Sequence, residues 1–526
     1  MEMKNRSVHE EHSKSPIPSP RLFKTVSHES PEGVLIYENT EPFVALPQEC
    51  NTMDSEVTEE VPINENVEPT STPPKIFLWT QLLAAFAVSM GLLLNGFAFA
   101  YSYHGLSSLL SSPLNTDRAN DIDWTIRSMP WATIIGSLLG APLVTYVGRR
   151  YSIMGACVPY FIGWILIASA PNLYFFIAGR ILCGLCAGIV SSASPVYIVE
   201  TVQPQVRGAL GLLPSAFKSG GVLLAYSAGA YLDWSKMAYI GAVLSVIYAL
   251  LMLATPESPR WYIAKGRTHD AREALQWLRG KKTNVDKEMQ DLTQFQIETD
   301  KTNGTALKQM FYMANIPTVF IALTLMLFQQ LNGNSAMFYY AHKMYQKSSG
   351  IDDVQLFTII ISITSIVSMS IAVVVVDLIG RKIMLYISSG TNILSLVILA
   401  AYAYRKEVKL DISVGWLPEA CVVLYVVGTA IGNGSIPWLM LGEILPLKIR
   451  GTAASLITGI FWAGSYYITS SFQYMINYTT VYSAVLIYVV IRLVELLFIL
   501  FCVPETRGKS LEEIEINLTQ RVKNVK

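Results

Sequence analysis

Twelve long apolar segments constrain this chain more than any other feature of its sequence. Each is about as long as a helix that crosses a bilayer, which takes roughly 20 residues. They lie near 77–102, 127–147, 152–171, 174–199, 209–232, 237–255, 314–341, 355–378, 383–404, 415–441, 452–475 and 480–503. Only 15% of the residues are charged, against roughly 25% in a soluble domain. The sequence therefore predicts an all-α membrane protein with twelve transmembrane helices, whose immediate surroundings are a lipid bilayer.

Two polar regions flank and divide the apolar segments. Residues 1–75 are rich in Pro, Ser and Glu, a composition typical of disorder. The stretch 257–312 contains "HDAREALQWLRGKK", which predicts short amphipathic helices and separates six segments from six. We expect five regions: a disordered tail (1–75), a six-helix bundle (76–256), an intracellular helical linker (257–312), a second six-helix bundle (313–504) and a C-terminal tail (505–526).

Basic residues set the expected orientation, because cytoplasmic loops of membrane proteins carry an excess of Lys and Arg. They alternate onto one side of the membrane at Arg149, Arg150, Arg207, Arg381, Lys382, Lys448 and Arg450, in the linker and in the C-terminal tail. Basic residues on the opposite side, such as Arg127 and the group from Arg405 to Lys409, lie in short loops or beside acidic residues. We expect both termini to lie in the cytoplasm of a multi-pass protein of the cell membrane.

Three short motifs occur once in each half of the chain, in the same order. "VGRR" (147–150) recurs as "IGRK" (379–382), "ETVQPQVRG" (200–208) as "EILPLKIRG" (443–451), and "PESPR" (256–260) as "PETRG" (504–508). A paired order of this kind indicates a duplicated six-helix unit. Two parallel halves related by an axis along the membrane normal are typical of the major facilitator fold.

The repeated motifs also carry candidate gating residues. The cations Arg149, Arg150 and Arg381 follow tight glycine turns at helix ends, where they are placed to pair with carboxylates of neighbouring helices. Glu200 and Glu443 precede Arg207 and Arg450 by seven residues and are placed to form ion pairs at the cytoplasmic mouth. Such pairs would hold an inner gate closed and break when it opens. Topology alone requires the cations but not the matched acids.

Six stretches of the sequence resemble the sugar porter family of the major facilitator superfamily. They are "GRILCGLCAGIVSSASPVYIVETVQPQVRGALG" (179–211), "PESPRWYIAKGR" (256–267), "QQLNGNSAMFYY" (329–340), "DLIGRK" (377–382), "GSIPWLMLGEILPLKIRG" (434–451) and "PETRGKSLEEIE" (504–515). Within that family the chain is most similar to insect facilitated trehalose transporters. The resemblance covers residues 77 to 516 and implies two helix bundles around a central sugar cavity that opens to each side in turn.

Candidate substrate-binding residues lie in two of these stretches. Side-chain amides both donate and accept hydrogen bonds, which suits sugar hydroxyls, and a tryptophan stacks on the apolar face of a sugar ring. The resemblance assigns these roles to the pair Gln329 and Gln330 and to Trp438 and Trp462. Asn334 lies four residues after Gln330 and shares its helix face. Asn332 belongs to the sequence Asn-Gly-Asn, which weakens the helix locally. Hydrogen bonding between helices, with no substrate, is the alternative for all the amides.

The chain departs from the family pattern at several of these places. Ser335 and Phe461 stand where the family usually has an asparagine, and Ser215 stands where a glutamine is common. Thr145 replaces an acid before the first glycine turn, whereas Asp377 keeps it before the second. Proton-coupled relatives are expected to have an aspartate in the first span, and Ser102 or a neighbour stands there instead. The resemblance therefore implies downhill uniport.

Two further charged positions fall inside predicted spans. Lys218 is costly within a bilayer, which favours a functional role in the cavity, but it could also lie nearer the cytoplasmic end. Arg492 and Glu495 are three residues apart on the last span and are predicted to pair with each other.

The leading interpretation is a facilitative carrier of trehalose or a hexose that works by alternating access and functions as a monomer. A non-transporting sugar sensor and a carrier of another small polar or anionic solute remain alternatives. The net charge of zero gives no indication of a nucleic-acid partner. The chain contains no nucleotide-binding loop or catalytic triad, and we predict neither enzyme activity, nor a cofactor, nor a metal site.

Overall fold

The computed structural model describes residues 78–110, 119–301, 304–333, 353–408, 416–478 and 480–524. Every regular element in this part of the chain is a helix. Ten helical segments in the described part of the chain, one of them interrupted at residues 432–435, are long and apolar enough to cross a membrane. Asn334 and Ser335 lie outside the described residues.

The first half contains six long helices. They are α1 (Leu78–Leu110), α2 (Ala119–Pro142), α3 (Arg149–Ala168), α4 (Leu173–Thr201), α5 (Arg207–Gly229) and α6 (Trp234–Leu253). A π-helical turn, Leu143–Val147, continues α2. The predicted spans agree with these helices within a few residues, except that α1 and α2 extend beyond their spans on one side.

Four short helices follow in the linker: α7 (Pro259–Ala264), α8 (Thr268–Arg279), α9 (Asp286–Asp300) and α10 (Ala306–Met310). In α8 the apolar residues Ala271, Leu275 and Leu278 recur at helical spacing and are buried. Thr80 at the start of α1 donates to the carbonyl oxygen of Leu278 at 3.0 Å. The linker is thus packed against the first half of the chain.

The second half contains α11 (Ile316–Leu331), α12 (Asp353–Ile379), α13 (Arg381–Glu407), α14 (Leu417–Ile431), α15 (Ile436–Ile444), α16 (Arg450–Tyr478), α17 (Val481–Phe501) and α18 (Leu511–Asn524). The predicted span 415–441 is interrupted between α14 and α15, where Pro437 supplies no amide hydrogen near the start of the new helix. Regular helix α11 ends at Leu331, before Gly333 with φ +83°. The Asn-Gly-Asn sequence predicted a weak point there.

The two halves contact each other most extensively through two equivalent helix pairs. Helix α5 packs against α12, and α2 packs against α16. Within the first half α1 and α5 approach so closely that a Cβ atom on Gly96 would lie 2.0 Å from the carbonyl oxygen of Lys218. Many large apolar side chains face outward, including Val374, Leu378 and Phe501, each at least 67% exposed. Apolar surface of this extent is compatible with lipid contact.

Candidate functional site

A cavity of about 400 Å³ lies between α5 of the first half and five helices of the second half. Its volume falls in the range of about 300–1,000 Å³ that is usual for small-molecule sites. The wall contains all the candidate binding residues that the structure describes: Ser215, Lys218, Gln329, Gln330, Asn332, Trp438 and Trp462. A smaller space of about 40 Å³ adjoins it, sharing Ser215, Lys218 and both tryptophans and extending to Asn95.

The two adjacent glutamines point to different partners because successive helical residues lie about 100° apart. Gln329 donates through Nε2 to the carbonyl oxygen of Gly434 at 2.7 Å, in the break between α14 and α15. Gln330 donates through Nε2 to the carbonyl oxygen of Phe461 on α16 at 3.1 Å. The buried Oε1 of Gln329 has no hydrogen-bond partner among the described residues. Interhelical bonding therefore uses one end of the Gln329 amide and leaves the other unsatisfied.

Asn332 differs from the glutamines because its backbone is part of a buried network. Its carbonyl oxygen accepts a hydrogen bond of 2.5 Å from Tyr425, whose hydroxyl also accepts one of 3.2 Å from Arg492. Arg492 and Glu495 form the predicted ion pair at 2.5 Å, with both side chains buried. The end of α11 is thus attached to a buried charge pair on α17.

Aromatic rings form one side of the cavity. The ring of Trp438 meets that of Phe461 edge-on at 4.8 Å, and Phe461 meets Trp462 in the same way at 5.2 Å. Phe99 of α1 stacks on Trp462 at 4.6 Å with the ring planes nearly parallel. Phe99 therefore occupies one face of Trp462, while Trp462 Nε1 has no hydrogen-bond partner among the described residues. Phe461 takes part in this cluster as a packing residue.

Lys218 lies on the cavity wall at the middle of α5, rather than near a helix end. Its Nζ is 5.4 Å from the ring centre of Trp462 and 6.0 Å from that of Trp438. These distances lie within the range of about 6 Å for cation–π attraction. Of the two alternatives raised by the sequence, the structure supports the cavity position.

Ser102 in α1 is a partner of a buried arginine. Arg180 of α4 donates to the hydroxyl of Ser102 and, at 2.9 Å, to the carbonyl oxygen of Ala98. Within the described ion pairs, no carboxylate faces Arg180. The guanidinium of Arg180 is therefore stabilised by hydrogen bonds to neutral oxygen atoms of α1.

The repeated motifs meet at one end of the molecule, called here the motif end: the turns at Gly148 and Gly380 and the segments after α6 and α17. In the first half Glu200 pairs with Arg149 at 3.0 Å and accepts a bond of 2.6 Å from Ser258. In the second half Glu443 pairs with Arg381 at 3.2 Å and accepts a bond of 2.6 Å from Thr506. The two halves build the same buried cluster from the same three motifs.

A second carboxylate in each half caps a helix. Glu257 accepts from the backbone amides of Arg149 at 3.1 Å and Arg150 at 2.9 Å, at the start of α3. Glu505 accepts from those of Arg381 at 3.1 Å and Lys382 at 2.9 Å, at the start of α13. Both acids occupy the positive end of a helix dipole.

The glycines of the two turns are required by the caps. Gly148 and Gly380 have φ of +122° and +102°, a backbone conformation that residues other than glycine rarely adopt. A Cβ atom on Gly148 would lie 2.5 Å from Glu257, and one on Gly380 would lie 2.8 Å from Glu505. Sequence reasoning found the repeated Pro-Glu motif but assigned no role to Glu257 or Glu505. Their adjacency to the glycine turns depends on tertiary contact, which no local pattern reveals.

Contacts between the halves at the motif end differ from those that the seven-residue spacing indicated. Arg450 pairs with Glu200 of the other half at 3.6 Å, while Arg207 donates to the carbonyl oxygen of Lys509 at 3.1 Å. Asp377 accepts from the backbone amides of Gly208 at 3.1 Å and of Ala209 at 2.8 Å, across the interface. The guanidinium of Arg150 donates to carbonyl oxygens of Met252 and Leu253 and forms none of the described ion pairs, although the backbone amide of this residue bonds to Glu257.

The link equivalent to Asp377 is weaker in the first half. Thr145 takes the corresponding place, and its hydroxyl lies 3.3 Å from that of Thr452 at the start of α16. One contact between neutral groups therefore replaces two charge-assisted bonds, which are roughly twice as strong each. The motif end is joined asymmetrically.

Comparison with known proteins agrees with this geometry. The family model described as "Sugar (and other) transporter" matches residues 84–518. The facilitated trehalose transporter Tret1 of Bombyx mori is 49% identical over 93% of this chain and 96% of the relative. Tret1 of Drosophila mojavensis is 43% identical over 88% of this chain, which spans about half (54%) of that longer relative.

Among solved structures, the proton:xylose symporter XylE of the major facilitator superfamily, bound to 6-bromo-6-deoxy-D-glucose, is similar with a TM-score of 0.75. It is 24% identical, and the match covers 84% of this chain and 99% of XylE. That likeness establishes the fold. With the family model and the relatives, it identifies this chain as a member of the sugar transporter family with the twelve-helix, two-bundle major facilitator fold.

Proposed function

We propose that the protein is a facilitative carrier of a sugar, trehalose or a hexose, and that it works by alternating access. The observation that carries this proposal is the cavity of about 400 Å³ between the halves, whose wall combines the amides of Gln329 and Gln330 with the indole rings of Trp438 and Trp462. Side-chain amides donate to and accept from sugar hydroxyls, and an indole ring stacks on the apolar face of a sugar.

The contacts at the motif end provide the inner gate of this proposal. The bonds from Asp377 to Gly208 and Ala209, and the pair of Arg450 with Glu200, cross from one half to the other. They must break for the halves to separate at that end. The Arg149–Glu200 and Arg381–Glu443 pairs lie within one half each and can persist through the movement. In this proposal the contacts between the halves form and break as the gate closes and opens. The ion pairs inside each half remain and hold the interacting residues in place.

The surroundings of Arg180 favour uniport over proton coupling. A proton-coupled mechanism needs a group in the pathway that gains and loses a proton. The described partners of Arg180 are the hydroxyl of Ser102 and a backbone carbonyl, neither of which titrates in the physiological range. We infer that sugar moves down its own gradient.

The relatives named as trehalose transporters make trehalose the first substrate to test. We further propose that the motif end faces the cytoplasm, that both termini lie on that side, and that the monomer works in the cell membrane. The division at 75, 256, 312 and 504 is proposed as the boundary of tail, bundles and linker.

Uptake of labelled trehalose, glucose and fructose in oocytes tests the proposal, with surface expression measured beside it. We expect saturable uptake of at least one sugar, no stimulation by an imposed proton gradient, and loss of affinity in Gln330→Ala. Normal surface expression without uptake of any of the three would refute the carrier and favour a sugar sensor. Uptake driven by the proton gradient would refute uniport but leave the proposal of a sugar carrier in place.

A further inference from the structure

Lys218 is a charge without a matching countercharge in the binding cavity. Among the described residues that line the two connected spaces, it alone carries a formal charge. Four buried arginines, Arg149, Arg381, Arg450 and Arg492, each face a carboxylate within 3.6 Å. The described ion pairs include none with Lys218. In the cavity its ammonium group faces the rings of Trp438 and Trp462.

The tryptophan rings do not neutralise this charge. A ring face attracts a cation through its quadrupole but holds no formal charge, and both distances lie close to the outer limit of about 6 Å. An ionised side chain inside a membrane protein is costly unless a partner or water in a cavity compensates it. Among the described residues no group supplies the countercharge, so an anion in the cavity is the partner that would keep the ammonium group charged.

The ammonium group cannot leave the cavity by extending along the helix. Lys218 lies eleven residues from the start of α5 and eleven from its end, about 16 Å each way at a rise of 1.5 Å per residue. Its backbone is held against α1, because the carbonyl oxygen of Lys218 abuts Gly96. The side chain instead points toward Trp438 and Trp462 of the opposite half.

We propose that Lys218 forms an anion subsite within the sugar cavity. Its ligand is a singly charged anionic group, either the carboxylate of a sugar acid or a small free anion held beside a neutral sugar. The hydroxyl of Ser215, the amide of Gln329 and the other polar groups of the same wall bind the neutral part of the ligand. This inference rests on the proposed function, since it takes the cavity as the sugar site.

The test compares the parent with Lys218→Met, Lys218→Gln and Lys218→Arg, using the full chain in proteoliposomes. The matched control is Lys236→Met, an exposed lysine near the start of α6 that pairs with Asp233 and is remote from the cavity. One arm measures labelled glucuronate uptake relative to labelled glucose uptake. The other measures glucose uptake with chloride present or replaced by methanesulfonate.

In the first arm we expect the ratio of glucuronate to glucose uptake to fall at least tenfold in Lys218→Met and Lys218→Gln, and to stay within threefold in Lys218→Arg. If the anion is free, the chloride dependence of glucose uptake disappears in the same two variants and persists in Lys218→Arg. Lys236→Met should match the parent in both arms. A parent and neutral variants that respond equally in both arms would overturn the subsite.

A separate binding measurement keeps this result distinct from a failure of the proposed function. Glucuronate and chloride are titrated into the purified parent and Lys218→Gln while thermal unfolding is followed. A parent that transports no sugar refutes the carrier, yet Lys218-dependent stabilisation by an anion would still support the subsite. Equal stabilisation of both proteins by each anion, or none, would refute the subsite even if sugar uptake is normal.

Discussion

At the scale of single residues, the two ends of the Gln329 amide have different surroundings. Its Nε2 atom holds the break between α14 and α15 through Gly434, while Oε1 remains without a partner among the described atoms. The family resemblance predicted a sugar-binding role for Gln329, and the structure places this residue on the cavity wall. Which end of the amide is free depends on the course of the backbone in the break, and local sequence does not specify it.

The first prediction concerns this amide. We expect Gln329→Ala to weaken apparent sugar affinity by about 1 kcal/mol, roughly fivefold, because one neutral hydrogen bond to the ligand is lost. The concentration dependence of initial uptake rates measures the effect. Gln294→Ala on exposed helix α9 is the control. An unchanged apparent affinity in Gln329→Ala would show that this amide serves packing alone.

At the scale of elements, α17 holds the end of α11. The chain of contacts runs from the Arg492–Glu495 pair through the hydroxyl of Tyr425 to the carbonyl oxygen of Asn332. Beside it, a Cβ atom on Gly333 would lie 2.7 Å from the ring of Tyr488, so α17 also fits closely against the residue where the helix has ended. The sequence predicted both the ion pair and the helix break, but not that one supports the other.

Breaking this ion pair gives the second prediction. Removing one partner leaves a buried charge uncompensated, which costs about 3–5 kcal/mol, whereas replacing both with apolar groups is often nearly neutral. We expect Arg492→Leu to lower thermal stability in detergent strongly. The double variant Arg492→Leu/Glu495→Leu should recover most of that loss. A double variant as unstable as the single one would show that Tyr425 depends on the arginine itself.

Helix α18 provides a third prediction, in its contact with α7. Burial would raise the pKa of Glu512, but the adjacent guanidinium of Arg260 outweighs it and lowers that pKa from 4.5 to about 2. A lowered pKa in the folded state stabilises the fold above the ordinary pKa and loses this effect as pH falls through the lowered value. Glu512→Gln should therefore be less stable than the parent at pH 7.

The difference between the two proteins should shrink as pH falls from about 4.5 towards 2. Unfolding in detergent at several pH values measures it. Glu513→Gln, on the exposed side of the same helix turn, provides the control. A stability difference that is constant across this range would contradict the assigned ion pair.

At the scale of the whole molecule, the duplication is nearly symmetric except in how the halves are joined at the motif end. Each half has its own cluster around Glu200 or Glu443 and its own cap from Glu257 or Glu505. Among the described residues, only the second half has a carboxylate, Asp377, that accepts from backbone amides at the start of a helix in the other half. The absence of an acid at Thr145 could be found from the sequence, and its consequence follows from the structure.

The fourth prediction tests this asymmetry. Thr145→Asp would place a carboxylate beside Gly451 and Thr452 at the start of α16, as Asp377 lies beside Gly208 and Ala209. We expect the state closed at the motif end to gain about 1.5 kcal/mol, roughly tenfold, as a charge-assisted bond contributes. Turnover should fall accordingly.

Spin-label distances across the motif end measure that closure directly. Asp377→Thr should shift the population the opposite way, towards the open state. Thr268→Asp, an exposed position in the linker, serves as the control. Equal distances in the parent and Thr145→Asp would contradict the role given to this contact.

Taken across scales, sequence patterns were most informative where they were periodic or repeated. Apolar segment length and the paired motifs predicted the helices and the two-bundle fold. They also singled out Arg149, Glu200, Arg381 and Glu443, but not Ser258 and Thr506, which bond to the two glutamates. The partners of Arg207 and Arg450 were not predictable, because the seven-residue spacing crosses the loops before α5 and α16, where helical geometry does not hold. The tertiary contact between the halves instead places Arg450 beside Glu200 and Arg207 beside the carbonyl oxygen of Lys509.

The close packing of α1 on α5 has a consequence for how such a carrier can change its cargo in evolution. Gly96 and Gly221 let the two backbones touch, so the position of α5 is set by main-chain contact rather than by the side chains on its cavity face. A residue such as Lys218 can then be exchanged without shifting the helix that bears it. Substrate selectivity can in this way change through substitution of cavity side chains alone, while the packing of α5 on α1 is retained.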